Sequence, residues 1–303
     1  MKYDVVMIGG GPAGLSSAVY AARAGCSAVV LEGAACGGQM LFAHEIENYP
    51  GTPKVSGMQL ADTMTAQAES FGVPVLYKQV HSLQALPDRF RIDVGGEELY
   101  AKAVVVASGS EHRKLNVPGE DVFLGRGVSY CAVCDGRFFR GKDAVVVGGG
   151  NTALGDAIYL SELCRTVTVV HRRDSFRADR ILVDRLSDHP NVKCLMKSEV
   201  VALEGDSRLE RIQLRQDGTA TQAIDADCVF IAVGNVPRTD FVQELSGLQL
   251  DGGYIVTDER CRTSVQGLFA AGDVRAKSLR QIVTAVSDGA IAGTEAAAFV
   301  KEN

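Results

Sequence analysis

Val5-Val6-Met7-Ile8-Gly9-Gly10-Gly11-Pro12-Ala13-Gly14 reads as a buried strand that runs into a glycine turn and the start of a helix. Helical residues continue from Ser16 to Gly25, and a second apolar strand, Ala28 to Leu31, closes on Glu32. This is a βαβ unit. Each glycine of Gly9-x-Gly11-x-x-Gly14 has a mechanical reason. The first turns the chain sharply, the second lets backbone approach a pyrophosphate, and the third lets helix pack closely on strand. Amides at the helix N-terminus then meet the phosphates.

The same plan recurs at Ala144-Val145-Val146-Val147-Gly148-Gly149-Gly150-Asn151-Thr152-Ala153, followed by helical residues to Cys164 and a strand Val167 to Val170 that ends at His171. One constant offset maps Gly9, Gly11, Gly14 and Glu32 onto Gly148, Gly150, Ala153 and His171. A single motif of this kind is weak. Two are strong when each follows an apolar strand directly and each has a polar terminus on the next strand about 20 residues on. Each copy has a matching exit, Ala103 to Gly109 and Asp227 to Gly234, preceded by alternating stretches, Val75 to Asp93 and Lys193 to Leu214, that read as small antiparallel meanders. The expected fold class is α/β: two Rossmann-like nucleotide-binding domains, each a parallel sheet with a β excursion.

The copies differ at the tip of the second strand. Glu32 can accept hydrogen bonds from a ribose 2′-OH, which suits FAD or NAD and repels a 2′-phosphate. The second copy opens instead on His171-Arg172-Arg173-Asp174-Ser175-Phe176-Arg177, whose three arginines could bind a 2′-phosphate through charge-assisted hydrogen bonds. Such runs are more often solvated loops. This one stands at the adenosine end of a Rossmann unit, which favours NADPH over NADH. Near the C-terminus, Gly267-Leu268-Phe269-Ala270-Ala271-Gly272-Asp273 sets an acid after a short apolar strand, where it could meet a ribityl hydroxyl or the phosphate side of FAD.

The bulk properties bound the reading. A chain of 303 residues with 46% hydrophobic and 22% charged residues has room for about two domains. A net charge of −6 gives no basic footprint for nucleic acid. No run reaches the length of a membrane span, and no charged n-region and cleavable apolar segment precede the strand at Val5, so a cytoplasmic protein is expected. The 8 cysteines form no dense disulfide framework. Cys26, Cys36, Cys164, Cys194, Cys228 and Cys261 stand singly and read as structural.

Cys131 and Cys134, in Ser-Tyr-Cys-Ala-Val-Cys-Asp-Gly, are the C-x-x-C of the chain. Two cysteines three apart can close a small disulfide ring and exchange through a thiolate. Half of a zinc site is the competing reading, but neither a second C-x-x-C nor a histidine pair accompanies it. Asp135 directly follows, and it could deliver or remove the proton that dithiol cycling needs. An ordinary Asp-Gly turn with Gly136 is its bland alternative.

Taken together, Gly9-x-Gly11-x-x-Gly14, Gly37-Gly38-Gln39, Glu47-Asn48-Tyr49-Pro50-Gly51, the C-x-x-C with Asp135-Gly136, His171-Arg172-Arg173-x-x-x-Arg177 and Ala271-Gly272-Asp273 resemble the low-molecular-weight bacterial thioredoxin reductases from end to end. The resemblance implies a split FAD domain, residues 1–114 and 247–303, with an NADPH domain, 115–246, inserted between. It implies that Gly9, Gly11, Pro12, Gly14, Glu32, Gly38, Gln39, Asn48, Ala107, Gly109, Gly272, Asp273, Arg280 and Gln281 serve FAD. It assigns Gly150, Asn151, Thr152, Ala153, His171, Arg172, Arg173, Arg177 and Gly234 to NADPH. A homodimer and thioredoxin as protein substrate are implied too. The sequence departs from the family at Met40-Leu41-Phe42-Ala43-His44, at Leu154-Gly155-Asp156, and at Ala107-Ser108-Gly109, where a hydroxyl is kept.

By that resemblance hydride passes from NADPH to FAD, the flavin opens the Cys131–Cys134 disulfide, and the dithiol reduces thioredoxin, with Cys134 the nearer to the flavin. Rotation of the NADPH domain, hinged near 114–118 and 244–248, would let both nicotinamide and dithiol reach one flavin. Rivals are reduction of another thiol protein, a ferredoxin-driven enzyme, which should lack the arginine trio, and a nucleotide-binding redox sensor without turnover.

Overall fold

The computed structural model describes residues 2–43, 45–218 and 220–303; Met1, Thr219 and His44, the last residue of one departing stretch, lie outside them. The chain divides into two compact units. One comprises the residues up to Glu111 together with Val236–Asn303, the other His112–Asn235.

Ten strands carry the two parallel sheets: β1 (Lys2–Ile8), β2 (Ala28–Glu32), β3 (Val75–Tyr77), β4 (Glu98–Val106), β5 (Val128–Ser129), β6 (Asp143–Val147), β7 (Thr166–Val170), β8 (Val192–Leu195), β9 (Cys228–Ile231) and β10 (Leu268–Ala270). The helices are α1 (Pro12–Arg23), α2 (Gly57–Ser70), α3 (Ala132–Asp135), α4 (Asn151–Ser161), α5 (Arg180–Ser187) and α6 (Ile282–Glu302). In the first unit the strand order is β3-β2-β1-β4-β10, in the second β8-β7-β6-β9-β5, parallel throughout. Central strands buried on both faces read as continuous apolar runs. Val5, Val6, Met7 and Val146 are accordingly fully buried.

The excursions differ from the expected meanders at their first residues. β3 and β8 pair in parallel with β2 and β7, so they are edges of the main sheets. In the first unit, the antiparallel strands Ser82–Ala85 and Phe90–Asp93 follow, the latter pairing with residues 98–101 of β4, while Val104–Val106 pair with β10. The second unit has a three-stranded antiparallel sheet, Ser198–Glu204, Arg211–Gln216 and Ala220–Asp225.

Small residues return the end of the chain to the first unit. A Cβ on Gly289 would stand 2.2 Å from the Ala13 carbonyl oxygen and one on Gly293 2.4 Å from that of Ser17. The Ser16 and Ser17 hydroxyls donate to the carbonyls of Val286 and Gly289 at 2.9 and 3.0 Å, so α1 and α6 lie backbone to backbone. Val242 and Leu245 are buried beside Val80, Leu83 and Ile255, which draws residues 236–246 into the first unit. Among the described residues no helix is long and apolar enough to cross a membrane.

One topological correspondence places the site. β10 and β5 hold the same rank, each pairing in parallel with the exit strand of its own sheet. In the first unit this strand comes from near the end of the chain, and in the second it comes first. Asp273 and Cys131 therefore follow equivalent strand ends.

Candidate active site

Cys131 and Cys134 are joined by a disulfide, with their Cα atoms 5.3 Å apart. Cys131 caps α3, its Sγ accepting the Cys134 N–H at 3.2 Å. Cys131 is half-buried and Cys134 exposed. β5, β6 and β9 run parallel, so the disulfide, the Gly148–Gly150 turn and Gly234 share one carboxyl edge of the second unit's sheet. In open α/β sheets that edge is where ligands bind. The Asp135 carboxylate accepts a hydrogen bond from the Ser129 hydroxyl at 2.6 Å.

Ahead of the dithiol lies a buried carboxylate that sequence reasoning missed. Glu120, 2% exposed, accepts the N–H groups of Leu115 and Asn116 at 2.9 and 2.7 Å and the Tyr130 hydroxyl at 2.7 Å. Burial, then the Glu120 bond, drives the Tyr130 phenol far above its usual range. Its ring stacks on His112, whose Nδ1 lies 2.9 Å from the Asn235 amide oxygen. Residues 112–120 are thus anchored within the second unit.

In the first unit the expected flavin residues make several separate contacts with one another and with their neighbours. Glu32 accepts the Gly10 N–H at 2.7 Å and the Ala34 N–H at 2.9 Å. The Gly37 N–H donates to the Gly10 carbonyl at 2.8 Å, and Gly38 faces Gly11. Gln39 donates its side-chain amide to the Ser110 carbonyl. Asn48 donates to the Gln281 side chain at 3.1 Å, and Arg280 Nε to the Asp273 carbonyl at 3.3 Å while lying 4.2 Å over the Tyr254 ring. Gly109 accepts the Arg238 N–H at 3.0 Å. The Gly272 N–H donates at 3.0 Å to Asp288, a buried carboxylate that also pairs with Arg275 at 2.6 Å and Lys277 at 2.9 Å.

Of the residues expected to hold NADPH, His171 and Arg177 meet at Gly149. The buried His171 ring lies beneath it, so that a Cβ there would come within 2.3 Å of the imidazole. Burial lowers the His171 pKa. The Arg177 N–H donates to the Gly149 carbonyl at 2.7 Å. Asn151 donates to the Asp179 carboxylate at 2.8 Å and accepts the Asp179 N–H at 2.8 Å, a reciprocal clasp between α4 and the arginine loop. Gly234 accepts the Arg113 N–H at 2.9 Å, Thr152 is exposed and Ala153 fully buried. Arg172, Arg173 and Arg177 are exposed, and among the described residues none of the three has an ion-pair partner.

Both glycine turns fit a dinucleotide. A Cβ on Gly14 would stand 1.8 Å from the Gly9 carbonyl oxygen, and one on Gly9 or Gly148 would meet the carbonyl oxygen of Ala107 or Ala232 at 2.3 or 2.4 Å. On Gly11 and Gly150 it would meet nothing within 4 Å. Those two glycines precede helices with no side-chain cap and no acidic residue in the first turn. Open space before uncapped amides suits a pyrophosphate. Gly11→Ala is therefore expected to fold yet lose flavin, whereas Gly14→Ala should lose about 3 kcal/mol or more of stability, since overpacking against backbone has no side chain to yield. Thermal melts of the flavin-free proteins, with flavin content measured separately, separate the two effects.

Asp156, in the second turn of α4, is pushed up to about 7 by burial. Between 3.8 and about 7 the folded protein holds a proton that the unfolded chain has released, so this carboxyl costs stability as pH rises through that window. Asp156→Asn should gain about 2 kcal/mol above the window, a value reduced for partial solvent access, and nothing below it. Melting temperature measured against pH checks the sign.

A redox disulfide on a doubly repeated nucleotide-binding scaffold is the class of protein this geometry defines. Residues 3–289 match the family described as pyridine nucleotide-disulphide oxidoreductase. The thioredoxin reductase of Treponema pallidum is 44% identical over 98% of this chain and 97% of its own, and that of Listeria monocytogenes is 44% identical over 99% and 94%. The crystal structure of thioredoxin reductase from Streptococcus pyogenes has a TM-score of 0.93 at 42% identity, covering 100% of this chain and 99% of that one. The chain belongs to the pyridine nucleotide-disulphide oxidoreductase family, among its low-molecular-weight thioredoxin reductases.

Proposed function

We propose that this chain is an NADPH-dependent thioredoxin reductase whose electrons leave through Cys131 and Cys134. The observation that carries the reading is the bonded pair itself, set at the ligand-binding edge of a second Rossmann-like sheet. FAD would be held in the first unit by the Gly9–Gly14 turn, Glu32, Gly38, Gln39, Asn48, Asp273, Arg280 and Gln281; when bound it supplies two-electron transfer between pyridine nucleotide and disulfide. NADPH would be held by Gly150 to Ala153, with Arg172, Arg173 and Arg177 toward the 2′-phosphate. On a protein of net charge −6, three arginines in one loop, without ion-pair partners among the described residues, support a phosphate ligand and weigh against a ferredoxin donor.

Two electrons reaching the Cys131–Cys134 bond break it and leave two sulfur anions, one of which takes a proton. Asp135, directly after the pair, accepts that proton back when the thiol resolves the mixed disulfide. The remaining thiolate attacks a thioredoxin disulfide, and the second sulfur resolves the mixed disulfide. The rotation implied by the resemblance pivots, in this reading, at 111–112 and 235–236 rather than 114–118 and 244–248. Glu120 anchors Leu115 and Asn116 in the second unit, and Val242 and Leu245 are buried in the first. A homodimer in the cytoplasm completes the proposal.

Anaerobic titration tests it. NADPH should bleach the flavin absorbance stoichiometrically, and oxidised thioredoxin should restore it. NADPH oxidation that is indifferent to thioredoxin would reject the reductase in favour of a sensor or another thiol partner.

A further inference from the structure

Ser129 ends β5, two residues before Cys131, and is 5% exposed. Its hydroxyl accepts the Cys131 N–H at 3.0 Å and donates to Asp135 Oδ2 at 2.6 Å. One oxygen therefore bridges the backbone that carries the first cysteine and the carboxylate that follows the second. Ser129 is itself fixed, because it registers with the fully buried Phe230 on β9. A hydroxyl has a single proton, and a bond given to a carboxylate favours its ionised form.

We propose that Ser129 is a positioning residue of the dithiol exchange: its hydroxyl fixes the Asp135 carboxylate beside the Cys131–Cys134 turn and keeps it ionised, ready to take the proton of the resolving thiol. The inference rests on the reading of Asp135 as that proton acceptor. The reduced pair starts as one thiolate and one thiol. The thiolate bonds to one sulfur of the thioredoxin disulfide, breaking that S–S bond and releasing a thiolate on thioredoxin. The remaining thiol gives its proton to Asp135 and attacks the enzyme sulfur of the mixed disulfide. The Cys131–Cys134 bond forms and a second thioredoxin thiolate leaves. The enzyme pair is oxidised by two electrons and thioredoxin reduced by two. Of the two protons the product dithiol takes up, one comes from Asp135 and one from solvent.

The test is single-turnover oxidation of prereduced holoenzyme by oxidised thioredoxin, followed against pH. Ser129→Ala should move the acid limb of the rate profile upward by about one pH unit, the size of one lost bond to a charged group, with the plateau kept. Ser129→Thr, which retains the hydroxyl, should restore the limb. Asp135→Asn should remove the limb and lower the plateau, and Ser129→Ala added to it should change nothing more. If Asp135→Asn removes the limb but Ser129→Ala leaves it in place, the Ser129 proposal is overturned while Asp135 stands. An unchanged profile in Asp135→Asn rejects the Asp135 reading itself.

Discussion

Cys134→Ser is expected to lower thioredoxin-dependent turnover by at least about a thousandfold, as loss of an obligatory covalent group does in other enzymes. Reduction of the flavin by NADPH should proceed as in wild type, because the substitution leaves both glycine turns and the arginine loop unaltered. Cys131→Ser should fall as far, since exchange needs one sulfur to attack and one to resolve. Stopped-flow absorbance separates the two halves of the reaction. Retained turnover in either variant would place the working disulfide elsewhere. Burial makes that relocation hard for four of the other six cysteines. Cys26, Cys164, Cys228 and Cys261 are buried, and burial pushes Cys164 and Cys261 up to about 11, well away from a reactive thiolate.

The second large effect concerns the nucleotide. Arg172→Ala and Arg177→Ala should each raise the KM for NADPH by about tenfold, the range of one charge-assisted bond at a partly solvated site, and leave the KM for NADH and kcat unchanged. Raising the salt should shrink the wild-type preference in the same direction. Equal losses for NADH and NADPH would reduce the trio to a solvated loop. His171 is a different matter. Its ring is buried and packed under Gly149, so His171→Ala should weaken both nucleotides through the turn rather than through the 2′-phosphate.

The residues that build the Rossmann units were legible because their signal is local. Four apolar residues followed by Gly-Gly-Gly announce β1 and β6, and the tip of the next strand falls at a fixed distance. β5 was not legible. It has two residues, Val128 and Ser129, and β9 pairs with both of them. β3 and β8 carry the same alternation as the antiparallel strands after them, and a period of two does not name a partner. Six cysteines read as small buried residues, but Cys194 is exposed, on the edge strand β8.

Site residues divide in the same way. The dithiol, the glycines and the arginine run are motifs, readable from spacing. Ser129, Glu120 and Asp288 are single polar residues in ordinary surroundings. What makes them part of the site is burial against donors distant in sequence or across a turn, and that is fixed only by the packed fold. For Ser129 the nearest signal was its place two residues before the C-x-x-C, which gave no reason to choose its hydroxyl over any other. The glycine turns supplied the converse lesson: their type was clear from sequence, yet which glycine is packed and which is open required the neighbours of each Cα.

Differential thiol mapping tests the electron path most directly. Free thiols of the oxidised holoenzyme are blocked first, NADPH is added without oxygen, and newly formed thiols are labelled and located by mass spectrometry, with and without a later excess of oxidised thioredoxin. The expected result is new label on Cys131 and Cys134 alone, erased by thioredoxin. Label on any other cysteine, or label on this pair that thioredoxin leaves untouched, would contradict the path through Cys131 and Cys134.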